Sequence, residues 1–151
     1  MADTKRRLKY LGYSVVMQEV PDEISLVFNI SGCPHHCEGC HSEFLWDYKG
    51  DYLSDDLERV IDEYSGLITC VCFMGGDQNI EELESYLKTV KDLGLKTCVY
   101  SGSDDQSIFN DCMKYLDWLK IGSYDNTQLS DDHVEYGVKL ASKNQHMIKV
   151  H

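Results

Sequence analysis

The segment LITCVCFMGGD, residues 67–77, decides the fold class of this chain. Its first seven residues form an apolar run that lies between Gly66 and the pair Gly75-Gly76. Such a run is typical of a strand that is buried on both faces, as in a parallel sheet. Because parallel strands are joined by crossover connections, we expect helices on either side of it.

Helical patterns do flank this strand. Before it, Ser54 can cap a helix that Gly66 ends. After it, Asn79 can cap a second helix, with Glu82 as its capping-box partner and Gly94 at its end. The other predicted elements are an N-terminal hairpin of strands 14–17 and 24–30 around Pro21-Asp22, a strand 95–101, a third helix with Ile108, Phe109, Cys112, Met113 and Leu116 on one side, a strand 118–121, a short helix 131–136 and a terminal strand 147–150.

Alternating strands and helices predict an α/β fold, which we expect to be an open partial (β/α) barrel. Its sheet would be mainly parallel and would begin with the β-hairpin, and residues 1–151 would form a single domain. Ligands of such sheets gather at the carboxyl ends of the strands. The unusual residues of the chain follow predicted strands and would meet there: Cys33, Gly75, Gly76, Asp77, Ser101, Gly102 and Gly122.

Charge and cysteine content limit the classes of function. The net charge of -12, from 14 basic and 26 acidic residues, disfavours nucleic acid and anionic membranes as partners. No apolar core follows the basic residues near the N-terminus, so we expect no signal peptide, no membrane span and a cytoplasmic location. In that reducing compartment, seven cysteines point to metal binding or catalysis rather than disulfides.

Three of these cysteines stand close together in SGCPHHCEGCHSEF, residues 31–44. Cys33, Cys37 and Cys40 have the spacing C-x3-C-x2-C. A structural zinc ion needs a fourth ligand, which His36 or His41 could supply. A 4Fe-4S cluster held by three thiolates instead leaves one iron open to an exogenous ligand. The cysteine spacing alone leaves both interpretations open.

The other four cysteines, Cys70, Cys72, Cys98 and Cys112, lie within apolar elements and are expected to be buried as small hydrophobic residues. Cys70 and Cys72 would share one face of their strand, which also permits a thiol redox pair.

Together, the cysteine triad and the later MGGD resemble the radical S-adenosylmethionine superfamily. Within it, GCPHHCEGCHSEFLW, FMGGDQ, VYSGS, LDWLKIGSY and ASKNQ are similar to anaerobic ribonucleoside-triphosphate reductase activating proteins, over roughly residues 13–145. The resemblance implies reductive cleavage of S-adenosylmethionine at a 4Fe-4S cluster and formation of a glycyl radical on the reductase. A reduced flavodoxin- or ferredoxin-like protein would donate the electron.

The resemblance also assigns residues. Cys33, Cys37 and Cys40 would ligate the cluster, and S-adenosylmethionine would chelate the fourth iron. The turn of Gly75, Gly76 and Asp77 would meet the methionine amino group, and Gly39 and His41 match positions that contact the nucleoside. Ser101 is a further candidate for cofactor binding because it ends a neighbouring strand.

Two positions depart from the family pattern: Gln78 replaces a proline after the acidic residue, and Ser42-Glu43 replaces an Asn-Pro pair. Trp46, Tyr48 and the aromatic-rich segment after the cysteines are expected to pack under a loop, and we expect them also to help shape a docking surface. The competing interpretations are an activase of another glycyl-radical enzyme, a non-catalytic zinc-binding interaction module, and a redox protein built on Cys70 and Cys72.

Overall fold

The computed structural model describes residues 7–17, 19–32 and 47–151. The three triad cysteines, Gly39, His41 and Trp46 lie outside these ranges. The described elements are β1 (Lys9–Val16), β2 (Ser25–Ile30), β3 (Asp51–Tyr52), α1 (Leu53–Glu63), β4 (Cys70–Met74), a short 3-10 helix (Asp77–Asn79), α2 (Ile80–Asp92), β5 (Lys96–Tyr100), a longer 3-10 helix (Gln106–Tyr115), β6 (Trp118–Ile121), β7 (Val134–Glu135), β8 (Val138–Lys139) and β9 (His146–Lys149).

Seven of the strands form one mixed sheet in the order β3-β1-β2-β4-β5-β6-β9. The four central strands, β2, β4, β5 and β6, run parallel, so their carboxyl ends lie at the same edge. β1 pairs antiparallel with β2, as the predicted N-terminal hairpin requires. The connection between the two strands contains Pro21 and Asp22, and the φ of Asp22 is 61°. β9 closes the other side by antiparallel pairing with β6. The expected partial barrel stays a prediction.

The helices cover one face of the sheet. Phe28, Phe73 and Val99 from neighbouring strands are fully buried there. They pack in one cluster with Leu57 of α1 and Leu87 of α2. Asn79 caps α2 as predicted, because its side chain accepts a hydrogen bond from the Glu82 backbone N–H. The Glu82 carboxylate instead accepts from the Leu8 backbone N–H at 2.9 Å, which fastens α2 to the start of β1.

The opposite face is covered by C-terminal residues rather than by a helix. Cys72, Cys98 and Trp118 face this side, where Val138 and Leu140 pack over them. The two faces thus bury two separate apolar clusters, which agrees with strands that are apolar throughout.

Several predicted elements differ from those observed. Ser54 does not cap α1; the helix begins at Leu53, whose backbone N–H donates to the Leu8 carbonyl at 3.0 Å. β4 begins at Cys70, three residues later than predicted, and Leu67 is exposed. The third helix is a 3-10 helix, whose three-residue period aligns Phe109 with Cys112 and leaves Ile108 exposed.

The predicted helix at residues 131–136 is wrong. Val134–Glu135 and Val138–Lys139 form a two-residue hairpin instead. Tyr136 and Gly137 in its turn have φ values of 53° and 83°. Positive φ at both turn positions is the geometry that tight hairpins prefer. Within the described ranges, no helix is both long enough and apolar enough to span a bilayer.

Candidate functional site

The residues on either side of the cysteine segment, residues 33–46, are hydrogen-bonded to each other. The Gly32 backbone N–H donates to the Asp47 carbonyl at 3.1 Å. The Ser31 hydroxyl accepts from the Lys49 backbone N–H at 3.1 Å and donates to the Lys49 carbonyl. Ser31 is fully buried, so these bonds are shielded from water. The chain therefore leaves the end of β2 and returns to the same place.

Gln78 fastens this junction to the turn after β4. Its side-chain Nε2 donates to the Ser31 carbonyl at 2.7 Å. A proline at this position, as in the resembling family, has no side-chain donor for that bond. The ring of Tyr48 packs over Gly32 from the other side, and its hydroxyl donates to the Arg7 carbonyl at 2.6 Å. Tyr48 thus packs against the residue that precedes the cysteine segment, and its expected contribution to a docking surface stays a prediction.

Gly75 and Gly76 turn the chain sharply at the carboxyl end of β4. Their φ values are 113° and 108°, a region that side chains with a Cβ rarely adopt. A Cβ on Gly75 would lie 3.0 Å from the Ile30 Cβ, and one on Gly76 would lie 3.1 Å from a methyl group of Leu83. The positive φ values and these close contacts therefore favour glycine at both positions, independently of any ligand.

Ser101 reaches Asp77 across the sheet edge. The Ser101 hydroxyl donates to Asp77 Oδ2 at 2.5 Å and accepts from the Ser103 backbone N–H at 2.9 Å. Its own backbone N–H donates to the Lys120 carbonyl at 2.8 Å. The hydroxyl thus uses its hydrogen and one lone pair within the protein, and through the donated bond it holds the Asp77 carboxylate in place.

A cavity of about 670 Å³ opens beside these strand ends. Met74 and Tyr100, the last residues of β4 and β5, line it together with residues 19–22 and the hairpin turn at Tyr136 and Gly137. Its volume lies within the range of small-molecule sites. Met74 and Tyr100 are not among the site residues predicted from the sequence, although their position directly before Gly75 and Ser101 was the available signal.

The chemistry of the cysteines fits a cluster held by three thiolates. Cys70, Cys72, Cys98 and Cys112 are free and fully buried. Burial, the largest cause, raises the pKa of Cys70 and of Cys98 well above the ordinary thiol value, and raises that of Cys112 to about 11. Iron ligation requires a thiolate, which such surroundings disfavour. Burial therefore makes Cys70, Cys98 and Cys112 poor candidates for metal ligands, and the assignment of a metal centre to Cys33, Cys37 and Cys40 stays a prediction.

The structure thus brings four predicted site residues together at one sheet edge: Gly75, Gly76, Asp77 and Ser101. The other five, Cys33, Cys37, Gly39, Cys40 and His41, lie in the segment that begins after Gly32, and the flanks of that segment meet the same edge. The ASKNQ motif follows the hairpin, and the Gln145 side chain there donates to the Gly122 carbonyl at the end of β6.

Comparison with known families gives one match across most of the chain. The family model described as "4Fe-4S single cluster domain" matches residues 24–148. That span runs from the start of β2 to β9 and includes the cysteine segment. A search of curated proteins found no match.

Proposed function

The chain belongs to the 4Fe-4S single cluster domain family, and on that premise we propose that it is a radical S-adenosylmethionine activase. Its product would be a glycyl radical on an anaerobic ribonucleoside-triphosphate reductase. Family membership accounts for the iron–sulfur cluster, and the finer activity is inferred from the cysteine spacing and the surrounding site.

The observation that carries the proposal is the junction between the cysteine segment and the Gly75-Gly76-Asp77 turn. β2 and β4 are adjacent and parallel, so the residues that follow them emerge side by side. Gln78 then bonds directly to Ser31, two residues before Cys33. An iron held by three thiolates and a ligand held by the turn would therefore be neighbours.

The residues divide into three groups by role. Cys33, Cys37 and Cys40 would hold the cluster, which when bound supplies the electron for reductive cleavage of S-adenosylmethionine. Gly75, Gly76 and Asp77 would receive the methionine end of that cofactor, with Ser101 holding the Asp77 carboxylate. Gly39 and His41, on either side of Cys40, would contact the nucleoside.

The cavity beside Met74 and Tyr100 supports a cofactor of this size. Gly75, Gly76, Asp77 and Ser101 are not among its lining residues, but Met74 and Tyr100 line it and directly precede Gly75 and Ser101. Its volume of about 670 Å³ lies within the range of small-molecule sites and adds space beside the turn. Burial of Tyr100 raises its pKa above the ordinary tyrosine value, so the phenol stays neutral beside the cavity. A neutral tyrosine side chain at the edge of the cavity would contact the ligand and shield it from water without taking a proton from it.

The partner and the electron donor are part of the proposal. We infer a reduced flavodoxin- or ferredoxin-like donor and a reductase that carries the target glycine. The net charge of -12 makes nucleic acid an unsuitable partner.

Incubation of the cluster-reconstituted protein with S-adenosylmethionine, reductant and the reductase, all under anaerobic conditions, tests this function. We expect 5'-deoxyadenosine and methionine as products, and a glycyl-radical signal on the reductase in electron paramagnetic resonance. Cys37→Ala should abolish both, whereas the matched buried variant Cys112→Ala should keep both if it folds. A radical on a different glycyl-radical enzyme but not on the reductase would reassign the target, and absence of both products would refute the activity.

A further inference from the structure

Three side chains outside the proposed cluster site lie close together near β9, the edge strand farthest from β3 in the sheet order. They are His133, Glu135 in β7 and His146 in β9. β9 lies four strands from β2 in the sheet order, roughly 19 Å at the usual strand spacing. We propose that these three residues bind a divalent transition-metal ion of the zinc class.

The distances between the ligand atoms suit such an ion. His146 Nδ1 lies 3.0 Å from Glu135 Oε2, and His133 Nε2 lies 3.4 Å from the same oxygen. Two ligands about 2.0–2.1 Å from a tetrahedral zinc ion lie roughly 3.3–3.4 Å apart. The three ligand atoms all lie within 4.8 Å of one another, so a small shift of one ring would complete the set.

The surroundings orient the carboxylate toward the two histidines. Glu135 Oε1 accepts a hydrogen bond from the Met147 backbone N–H at 2.8 Å, which leaves Oε2 to face both rings. Backbone bonds of this kind fix metal-binding carboxylates in known sites. Glu135 and His133 are about three-quarters buried, whereas His146 is half exposed and gives an ion access from solvent.

In the metal-free protein, one of the three ligand atoms, His133 Nε2, takes part in a hydrogen bond. His133 Nε2 lies 2.8 Å from the Gln145 carbonyl, which can only accept, so this nitrogen carries a hydrogen. Binding of the ion would exchange the bond to Gln145 for a bond to the metal, with the ring hydrogen of His133 then carried on Nδ1. Two histidines and one glutamate form a ligand set typical of zinc sites that keep an open fourth position.

A bound metal ion would hold the β7–β8 hairpin in place. Glu135 precedes the turn of Tyr136 and Gly137, and the same turn lines the 670 Å³ cavity. His146 belongs to the strand that pairs with β6. A metal ion would therefore join the cavity-lining hairpin to the main sheet.

Zinc titration of the full, cluster-loaded chain by isothermal calorimetry tests the site, with the cluster absorbance followed in parallel. We expect one zinc ion per chain, bound without loss of the cluster. Glu135→Gln and His146→Asn should each weaken zinc binding by at least about tenfold. The exposed histidine variant His151→Gln is the matched control and should bind as the parent does.

A second measurement separates this site from the cysteines. The triple variant Cys33→Ala, Cys37→Ala, Cys40→Ala should still bind one zinc ion, and zinc should slow amide exchange at residues 134–139. Zinc binding that disappears in the triple variant, or that survives unchanged in Glu135→Gln and His146→Asn, would overturn the proposal. So would the absence of any saturable zinc binding.

Discussion

The side-chain amide of Gln78 donates a hydrogen bond to the carbonyl oxygen of Ser31, with 2.7 Å between the two atoms. This bond connects the residue after the Gly-Gly-Asp turn to the residue that precedes Gly32 and Cys33. Where the resembling family has a rigid proline, this chain uses a side chain to reach across from β4 to β2. The turn after β4 is thereby held at a fixed separation from the end of β2, where the cysteine segment begins.

Gln78→Ala should loosen this junction. The lost bond and the unpaired Ser31 carbonyl should lower the free energy of unfolding of the cluster-free protein by about 1 kcal/mol. Urea denaturation measures this, and iron analysis after desalting should show faster cluster loss. Gln106→Ala, at an exposed glutamine, is the matched control and should change neither quantity. Equal behaviour of the two variants would remove the positioning role of Gln78.

Gly75→Ala should destabilise the fold more than Gly12→Ala. Both positions have positive φ, which costs about 1–3 kcal/mol for a residue with a Cβ. The new methyl group at position 75 also meets the Ile30 Cβ at 3.0 Å, whereas no atom lies within 4 Å of one at position 12. Urea denaturation of the two variants measures the difference. A smaller loss at position 75 would contradict the packing argument.

Ser101→Ala should weaken binding of S-adenosylmethionine, because Asp77 loses the donor that holds its carboxylate. The unpaired Ser103 N–H adds a stability cost of about 1 kcal/mol. Ser107→Ala removes a similar bond to Asp105 at an exposed site and serves as control. Calorimetric titration of the reconstituted protein with the cofactor should show reduced affinity for the first variant and parental affinity for the second. Parental affinity in both would exclude Ser101 from positioning.

Alkylation should separate the two sets of cysteines. In cluster-free folded protein, Cys33, Cys37 and Cys40 should react with iodoacetamide at pH 8, whereas Cys112 should not. Because its pKa is raised to about 11, only about a thousandth of that thiol is ionised at pH 8, and this fraction grows about tenfold per pH unit up to that value. Peptide mass spectrometry across pH 7–9 reads out each site. Rapid labelling of Cys70 would instead revive the redox-pair hypothesis.

Periodicity and capping signals predicted much of the fold. The cap at Asn79, the end of α2 before Gly94 and the parallel strands β4, β5 and β6 follow from local patterns that tertiary packing reinforces. Ser54 failed as a cap because the sheet edge, through Leu8, satisfies the start of α1. The hairpin after Val134 was missed because its strands are two residues long, too short for any periodic signal.

The part of the candidate site that could be predicted from the sequence consists of residues at the carboxyl ends of parallel strands. Gly75, Gly76, Asp77 and Ser101 could be placed together because parallel strands end at one edge. The bond from Gln78 to Ser31 could not, since it joins residues 47 positions apart through a side chain. The same holds for His133, Glu135 and His146, which come together only once β9 has paired with β6.

Electron paramagnetic resonance of the reduced, cluster-reconstituted protein, recorded with and without S-adenosylmethionine, shows whether the cofactor binds at the cluster. We expect a 4Fe-4S signal from the parent chain whose g-values change when the cofactor is added, because the cofactor would bind an iron that lacks a cysteine ligand. A cluster signal that the cofactor leaves unchanged would contradict this expectation, and so would zinc in place of iron and sulfide at the three cysteines.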